Sequence, residues 1–136
     1  MRKEDCIFCK IANGEIPSKT IYEDENFRAI LDLGPATKGH ALLIPKEHAD
    51  NLFELPDKLA KEVLPTAKRI AVEMKDKLQF DGINLAQNNG EVAGQTVMHF
   101  HLHMIPRYKN DGQQIGWVPG ELSQEELEEI KRQITG

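Results

Sequence analysis

The stretch His99-Phe100-His101-Leu102-His103-Met104-Ile105 alternates imidazoles with apolar side chains, and its reading decides how the rest of the chain is understood. On a strand, successive side chains point to opposite faces. A strand over residues 96–105, stopped by Pro106, puts His99, His101 and His103 on one face and Phe100, Leu102 and Met104 on the other. Three of the five histidines thus fall within five residues. A buried imidazole needs a hydrogen-bond partner, so a plain core strand does not carry three in a row. Metal binding and catalysis account for them better than chance clustering does. Residues two apart on a strand lie roughly 6.5 Å apart and residues four apart roughly 13 Å. Neighbours can share an ion held at about 2.0–2.1 Å, but three from one flat strand cannot easily do so. At least one imidazole is left to act as nucleophile, proton carrier or donor to phosphate.

Outward from this segment the chain reads as short strands joined by hairpin-length turns. Residues 20–22 and 27–31 are apolar runs flanking Glu23-Asp24-Glu25-Asn26, and Gly39 opens a third strand that Pro45 closes. Residues 83–86 form another strand before the turn Asn88-Asn89-Gly90. One long helix interrupts them. Leu59, Val63, Ala67, Ile70, Met74 and Leu78 recur at helical spacing after Pro56, Pro65 predicts a kink or break near residues 61–65, and Gly82 ends the unit. Residues 6–12 predict a helical turn stopped by Asn13-Gly14. Residues 109–120 predict a mobile loop, and Ser123-Gln124-Glu125-Glu126 is a capping box that opens a C-terminal helix over 123–134, stapled by Leu122 and Leu127. Without regular strand–helix alternation, the fold class is α+β with an antiparallel sheet.

At 136 residues the chain makes one domain, 1–136. Acidic residues outnumber Lys and Arg by 22 to 17, a net charge of −5, which argues against a surface for nucleic-acid backbones. No apolar run approaches the ~20 residues of a membrane span, and the charged opening Met1-Arg2-Lys3-Glu4-Asp5 does not resemble a signal peptide. The expectation is a soluble cytosolic protein with neither nucleic-acid nor membrane partners.

Two further features bear on chemistry. Cys6 and Cys9 form a C-x-x-C pair, the only cysteines present. A redox pair, two buried apolar cysteines and half of a tetrahedral zinc site all fit, although no strand precedes the pair as a thioredoxin-like motif requires. The loop Asn88-Asn89-Gly90-Glu91-Val92-Ala93-Gly94-Gln95-Thr96 offers glycines, amides and a hydroxyl that can cradle a phosphate. It matches neither the P-loop nor the dinucleotide fingerprint.

His-φ-His-φ-His-φ-φ, with φ apolar, is the signature of the histidine-triad (HIT) superfamily, and residues 99–105 match it in full. The resemblance extends over nearly the whole chain, through Cys6-Ile7-Phe8-Cys9-Lys10-Ile11, Gly14-Glu15-Ile16-Pro17, Gly39-His40, Leu43-Ile44-Pro45-Lys46, His48 and the 88–96 loop. It is most similar to the bacterial Hint-like branch of nucleoside phosphoramidases and nucleotide hydrolases. The resemblance implies a five-stranded antiparallel sheet in a homodimer, with the sheet extended across the interface, and a purine nucleotide attacked at its α-phosphorus. His101 would be the nucleophile, His103 a donor to phosphate and His40 a support for the imidazoles. Asp32 would hold the ribose; Phe8, Ile11, Ile30, Leu33 and Leu42 would line the base; Asn88, Gly94, Gln95 and Thr96 would contact phosphate. Cys6, Cys9, His48 and His99 would bind a structural zinc that the chemistry itself does not require. His103 stands where the hexose-1-phosphate uridylyltransferase branch has Gln. Trp117-Val118-Pro119-Gly120 resembles the tail that reaches the partner's active site in shorter relatives, but here it lies further from the triad and a helix follows.

Two other functions fit the same residues: a metal-dependent hydrolase with the triad as ligands, and a non-catalytic nucleotide-binding regulator or scaffold.

Overall fold

The apolar runs pair as hairpin-length turns dictate. The computed structural model describes residues 2–136, so Met1 of the charged opening lies outside it. Strands β1 (Thr20–Glu23), β2 (Phe27–Leu31) and β3 (Ala41–Pro45) form an antiparallel meander, with Phe27 opposite Pro45 and Leu31 opposite Ala41. The chain then crosses in helix α2 (Asp57–Leu78) to β4 (Gly82–Ala86) and returns as β5 (Leu102–Arg107) between β3 and β4. The sheet is five-stranded and antiparallel, in the order β1-β2-β3-β5-β4, as α+β patterning predicts.

The strand period divides the core between two faces. Phe27, Ala29, Ala41, Leu43, Leu102 and Met104 pack under Leu59, Ala67, Ile70 and Met74 of α2. Ile30, Leu42 and Ile44 point the other way and pack on Phe8, Cys9 and Ala12 of helix α1 (Ile7–Ala12) and on Cys6, which caps it. Every residue of β3 is buried, because both faces are covered. The α2 side is the larger apolar layer; the α1 side carries the histidines.

Three expectations about the elements are corrected. First, the histidine strand begins at Leu102, not at residue 96, and it includes Pro106. Phe100 N–H donates to the Ala49 carbonyl at 2.7 Å and His99 N–H to Val97 at 2.9 Å, which takes residues 97–101 out of the ladder. His99 and His101 therefore precede the strand, yet the alternation of side chains persists: Phe100, Leu102 and Met104 join the α2-side cluster, while Phe8 of α1 meets His99 and His101 on the other side. Pro106 is tolerated because β3 pairs with β5 only from Leu102 to Met104, so no neighbour on that side requires its missing N–H. Second, α2 runs unbroken through Pro65. Pro65 and Lys61 are both exposed, so the carbonyl that proline releases is open to water. Third, α2 ends on Gln79, held in the left-handed region at φ +57°, before Gly82 is reached.

Residues 108–123 form no helix or strand, and their beginning is tied down. Arg107 grips Asp111 with two guanidinium nitrogens at 2.8 and 2.9 Å, and Gln113 donates to the Ala36 carbonyl at 2.9 Å. Helix α3 (Gln124–Thr135) has its complete capping box, and none of its residues is buried. Among the described residues, no helix is long and apolar enough to cross a membrane.

Gly39 sits where β3, β5 and the end of α2 converge. Its φ is +93°, and a Cβ there would lie 2.6 Å from Leu78 Cδ1 and 3.3 Å from Pro106 Cγ. Gly39→Ala is expected to destabilise the fold by about 1–3 kcal/mol, measured as a loss of denaturant midpoint without change of slope.

Candidate active site and metal centre

Four side chains meet at the N-terminal end of α1. Cys6 is the N-cap of that helix: its Sγ accepts from Cys9 N–H at 3.3 Å, which brings both sulfurs to one side. His99 Nδ1 lies 3.3 Å from Cys6 Sγ and 3.4 Å from Cys9 Sγ; His48 Nδ1 lies 3.3 Å from Cys9 Sγ and 3.2 Å from His99 Nδ1. Zinc bonds of about 2.0–2.3 Å in a tetrahedron put ligand atoms roughly 3.3–3.8 Å apart, so the four are at ligand spacing. Both cysteines are free thiols.

The unbonded face of each imidazole turns to the same point for a stated reason. His99 Nε2–H donates to the Pro45 carbonyl at 2.8 Å, which leaves Nδ1 bare. His48 Nε2 lies 2.6 Å from Asp50 Oδ1, the carboxylate–histidine pairing that orients a metal ligand. Burial holds the His99 imidazole down to about 4 and pushes the Cys9 thiol up. The geometry and donor set fit a metal ion, and binding one would displace the thiol protons.

The remaining histidines form a second group on the same face. His101 Nδ1 is 2.7 Å from the His99 carbonyl. A carbonyl only accepts, so the proton sits on Nδ1 and Nε2 keeps its lone pair. Phe8 meets this ring edge-on, with centroids 4.9 Å apart. His40 Nδ1 accepts from Ala36 N–H at 3.0 Å, which puts its proton on Nε2. That nitrogen faces His103 Nδ1 at 3.0 Å, and His103 is left with a protonated Nε2. The chain of tautomers thus ends in a lone pair on His101 and a donor on His103, with ring centroids 5.1 Å apart. Asp32 Oδ2 lies 3.6 Å from His40 Nε2, and its Oδ1 accepts from Gly34 N–H at 2.8 Å. Burial lowers the pKa of His40, His101 and His103; for His103 its two imidazole neighbours lower it further. All three are held neutral near pH 7.

The triad therefore splits between two sites. His99 turns to the cysteines, and His101 and His103 lie beside each other, with His40 hydrogen-bonded to His103. Phe8, Ile30 and Leu42 form one buried wall with Ile11 against it; Leu33 is 91% exposed and is not part of that cluster.

The phosphate-loop expectation needs a correction. Gln95 is buried, and both hydrogens of its amide are engaged: Nε2 donates to Asp50 O at 2.6 Å and to Val97 O at 3.0 Å, while Oε1 accepts from Gly90 N–H at 2.8 Å. It is a strut inside the loop, not a phosphate donor. The N–H groups of Ala93, Gly94 and Gln95 also turn inward, to Gly90 and Glu91 carbonyls. Thr96 is exposed, and Asn88 lies beside Gly94, where a Cβ would come within 3.4 Å of Asn88 Nδ2. Gly94, at φ +98°, is thus needed for shape.

Sequence reasoning missed Asp50, whose side chain orients His48 and whose carbonyl holds Gln95. A carboxylate two residues after a candidate ligand was the available signal. The Pro45 and His99 carbonyls and the Ala36 N–H, which fix the tautomers, carry no side-chain signal at all.

A family model described as the HIT domain matches residues 13–110. The adenosine 5'-monophosphoramidase of Saccharomyces cerevisiae is 41% identical over 130 residues, covering 95% of this chain and 80% of its own. A crystal structure of a HIT-family protein from Bacillus subtilis superposes with a TM-score of 0.89 at 45% identity, over 96% of this chain and 95% of that one. A zinc-bound histidine triad family protein from Mycobacterium smegmatis superposes with a TM-score of 0.77 at 42% identity, over 85% and 84% of the two chains. The matched span takes in all five strands and the three histidines, so this chain belongs to the HIT family.

Proposed function

We propose that this protein hydrolyses purine nucleotide conjugates at the α-phosphorus, through a nucleotide bonded to His101. The conjugates are nucleoside phosphoramidates, acyl-nucleotides or dinucleotides, and the product is nucleoside monophosphate. The observation that carries this reading is the 2.7 Å contact between His101 Nδ1 and the His99 carbonyl. It presents a bare Nε2 to the cleft without requiring a base to remove a proton.

The Nε2 lone pair forms a bond to phosphorus, and the bond from phosphorus to the leaving group breaks, its electron pair departing with that group. Water then attacks phosphorus, the His101–phosphorus bond breaks with its electron pair returning to Nε2 to restore the neutral imidazole, and the proton that water gives up balances the one the leaving group takes on. His103 Nε2–H donates to a phosphoryl oxygen whose charge grows during attack, with Thr96 and Asn88 at the loop side. His40 holds His103 in its donating tautomer. Asp32 accepts from the ribose hydroxyls, and Phe8, Ile11, Ile30 and Leu42 face the base. The yeast relative named for adenosine 5'-monophosphoramidase supports a phosphoramidate as substrate.

Cys6, Cys9, His48 and His99 would hold zinc, and the zinc-bound mycobacterial relative supports that ion. When bound, it supplies folding free energy by joining α1 to the segments at His48 and His99. The metal-dependent hydrolase reading is weakened because His99 is drawn away from His101 and His103, so the three do not share one coordination shell. The His40 tautomer likewise makes His40 and His103 a hydrogen-bonded pair.

Three outcomes test this. His101→Ala is expected to lose at least about 10³-fold in kcat while nucleoside monophosphate binding changes only a few-fold, and intact-mass analysis should show a nucleotide adduct in the parent chain and none in the variant. Turnover at the parental rate would sink the assignment. The second outcome concerns pH. His103 is held below the ordinary 6.5 by burial and neighbouring imidazoles, so its neutral form persists to lower pH. The acid limb of kcat/KM should therefore have its midpoint below that value, and a midpoint above it would contradict the neutral relay. For the metal, elemental analysis should find about one zinc per chain, and Cys6→Ser should lower the unfolding temperature by several degrees while nucleotide affinity moves less.

A further inference from the structure

Helix α3 and the arm that leads to it have no seat on their own domain. Every residue from 112 to 136 is exposed. Yet α3 is built to dock: Leu127, Ile130 and Ile134 share one stripe, and a capping box fixes its start. An isolated helix of 12 residues is marginal in water, so the stripe needs a surface.

A matching surface lies on the α2 side of the sheet. A groove of about 1010 Å³ runs between α2 and the β1 edge, floored by Ile21, Leu31, Pro65, Val72 and Leu78. Val72 in the middle of α2 is 62% exposed. Lys38, Lys68, Arg69 and Lys77 also line it, against the single acid Glu73. The arm has the opposite charge: Glu121, Glu125, Glu126, Glu128 and Glu129 against Lys131 and Arg132. Glu128 and Glu129 pair with those two cations inside the helix, and Glu126 closes the capping box. Glu121 and Glu125 remain, on either side of the start of α3.

We infer that α3 of one copy of this chain seats its Leu127–Ile130–Ile134 stripe in the α2–β1 groove of a second copy. Charge complementarity selects the occupant, and the structure carries α3 clear of its own groove. Residues 114–123 span up to about 33–36 Å when extended, enough to cross between molecules. The contact lies on the sheet face opposite the histidines. It therefore differs both from a sheet continued across an interface and from a tail placed in a partner's active site. It does not rest on the proposed reaction.

The test uses the full chain with p-benzoylphenylalanine in place of Lys131, beside the stripe, and irradiation in solution. Seating on a second copy should give a product of two-chain mass whose linked peptides join position 131 to residues 65–78 or 20–23. Lys68→Glu with Lys77→Glu should cut that product several-fold, and mixing this chain with one carrying Glu121→Lys and Glu125→Lys should restore it. A product of single-chain mass alone would mean that α3 folds into its own groove, and the inference fails. It fails equally if position 131 links to the partner's histidines or to neither α2 nor β1, or if charge reversal leaves the yield unchanged.

Discussion

An imidazole has two nitrogens and, when neutral, one proton; whichever nitrogen the protein captures decides what the other can do. Here the captures are made by rigid parts of the fold. The Pro45 carbonyl takes the proton side of His99, Asp50 faces Nε2 of His48, the His99 carbonyl fixes His101, and the Ala36 N–H fixes His40. The same residue type is thus set in three states within one cluster: a bare Nδ1 beside the cysteines on His99, a bare Nε2 on His101 and a protonated Nε2 on His103. His99 joins the two sites: its ring completes the cysteine group, and its carbonyl sets the tautomer of the ring two residues on. Whatever holds His99 in place also orients His101.

The sheet makes this possible by separating duties. Its α2 face holds the larger apolar cluster, which stabilises the fold through ordinary burial. The α1 face holds the smaller one, in which Phe8, Ile30 and Leu42 adjoin buried imidazoles. Placing several titratable rings in a core is unfavourable unless each has a partner, and here each has one. The loop over residues 88–96 is tied to the same framework: Gln95 bridges Asp50 to Gly90, and Asn89 accepts from Leu52 N–H at 2.7 Å. The segment that carries His48 therefore also braces this loop.

Much of this was legible in the sequence, and the reasons for the remainder are physical. Short apolar runs, turn residues and one long helical stripe sufficed for the antiparallel α+β arrangement. The Cys6–Cys9 spacing and the clustered histidines marked residues that the fold brings together. Strand alternation put His99, His101 and His103 opposite Phe100, Leu102 and Met104, and that division holds, although the two leading histidines lie before β5. The competing bond from Phe100 N–H to Ala49 is nonlocal, and no pattern within residues 96–105 announces it. Pro65 does not break α2, and both it and Lys61, four residues earlier, lie at exposed positions of the helix. Gln95 had the right composition for a phosphate contact, but its burial and its three partners assign its hydrogens elsewhere.

The neutrality of the cleft has a consequence for charge. In the proposed reaction, a nucleotide conjugate would bring negative oxygens to a protein that already carries a net charge of −5. Cationic histidines would attract it more strongly, but protonation would remove the His101 lone pair and cost the buried site its neutral state. Neutral donors avoid both problems. The His103 N–H is oriented by His40, and in the proposed attack its contribution would grow as charge accumulates on phosphoryl oxygen. Such an interaction favours the transition state over the bound substrate or the released monophosphate, which is the distinction that raises turnover rather than affinity. Burial, which makes the histidines poor cations, is therefore what makes them suitable for this chemistry.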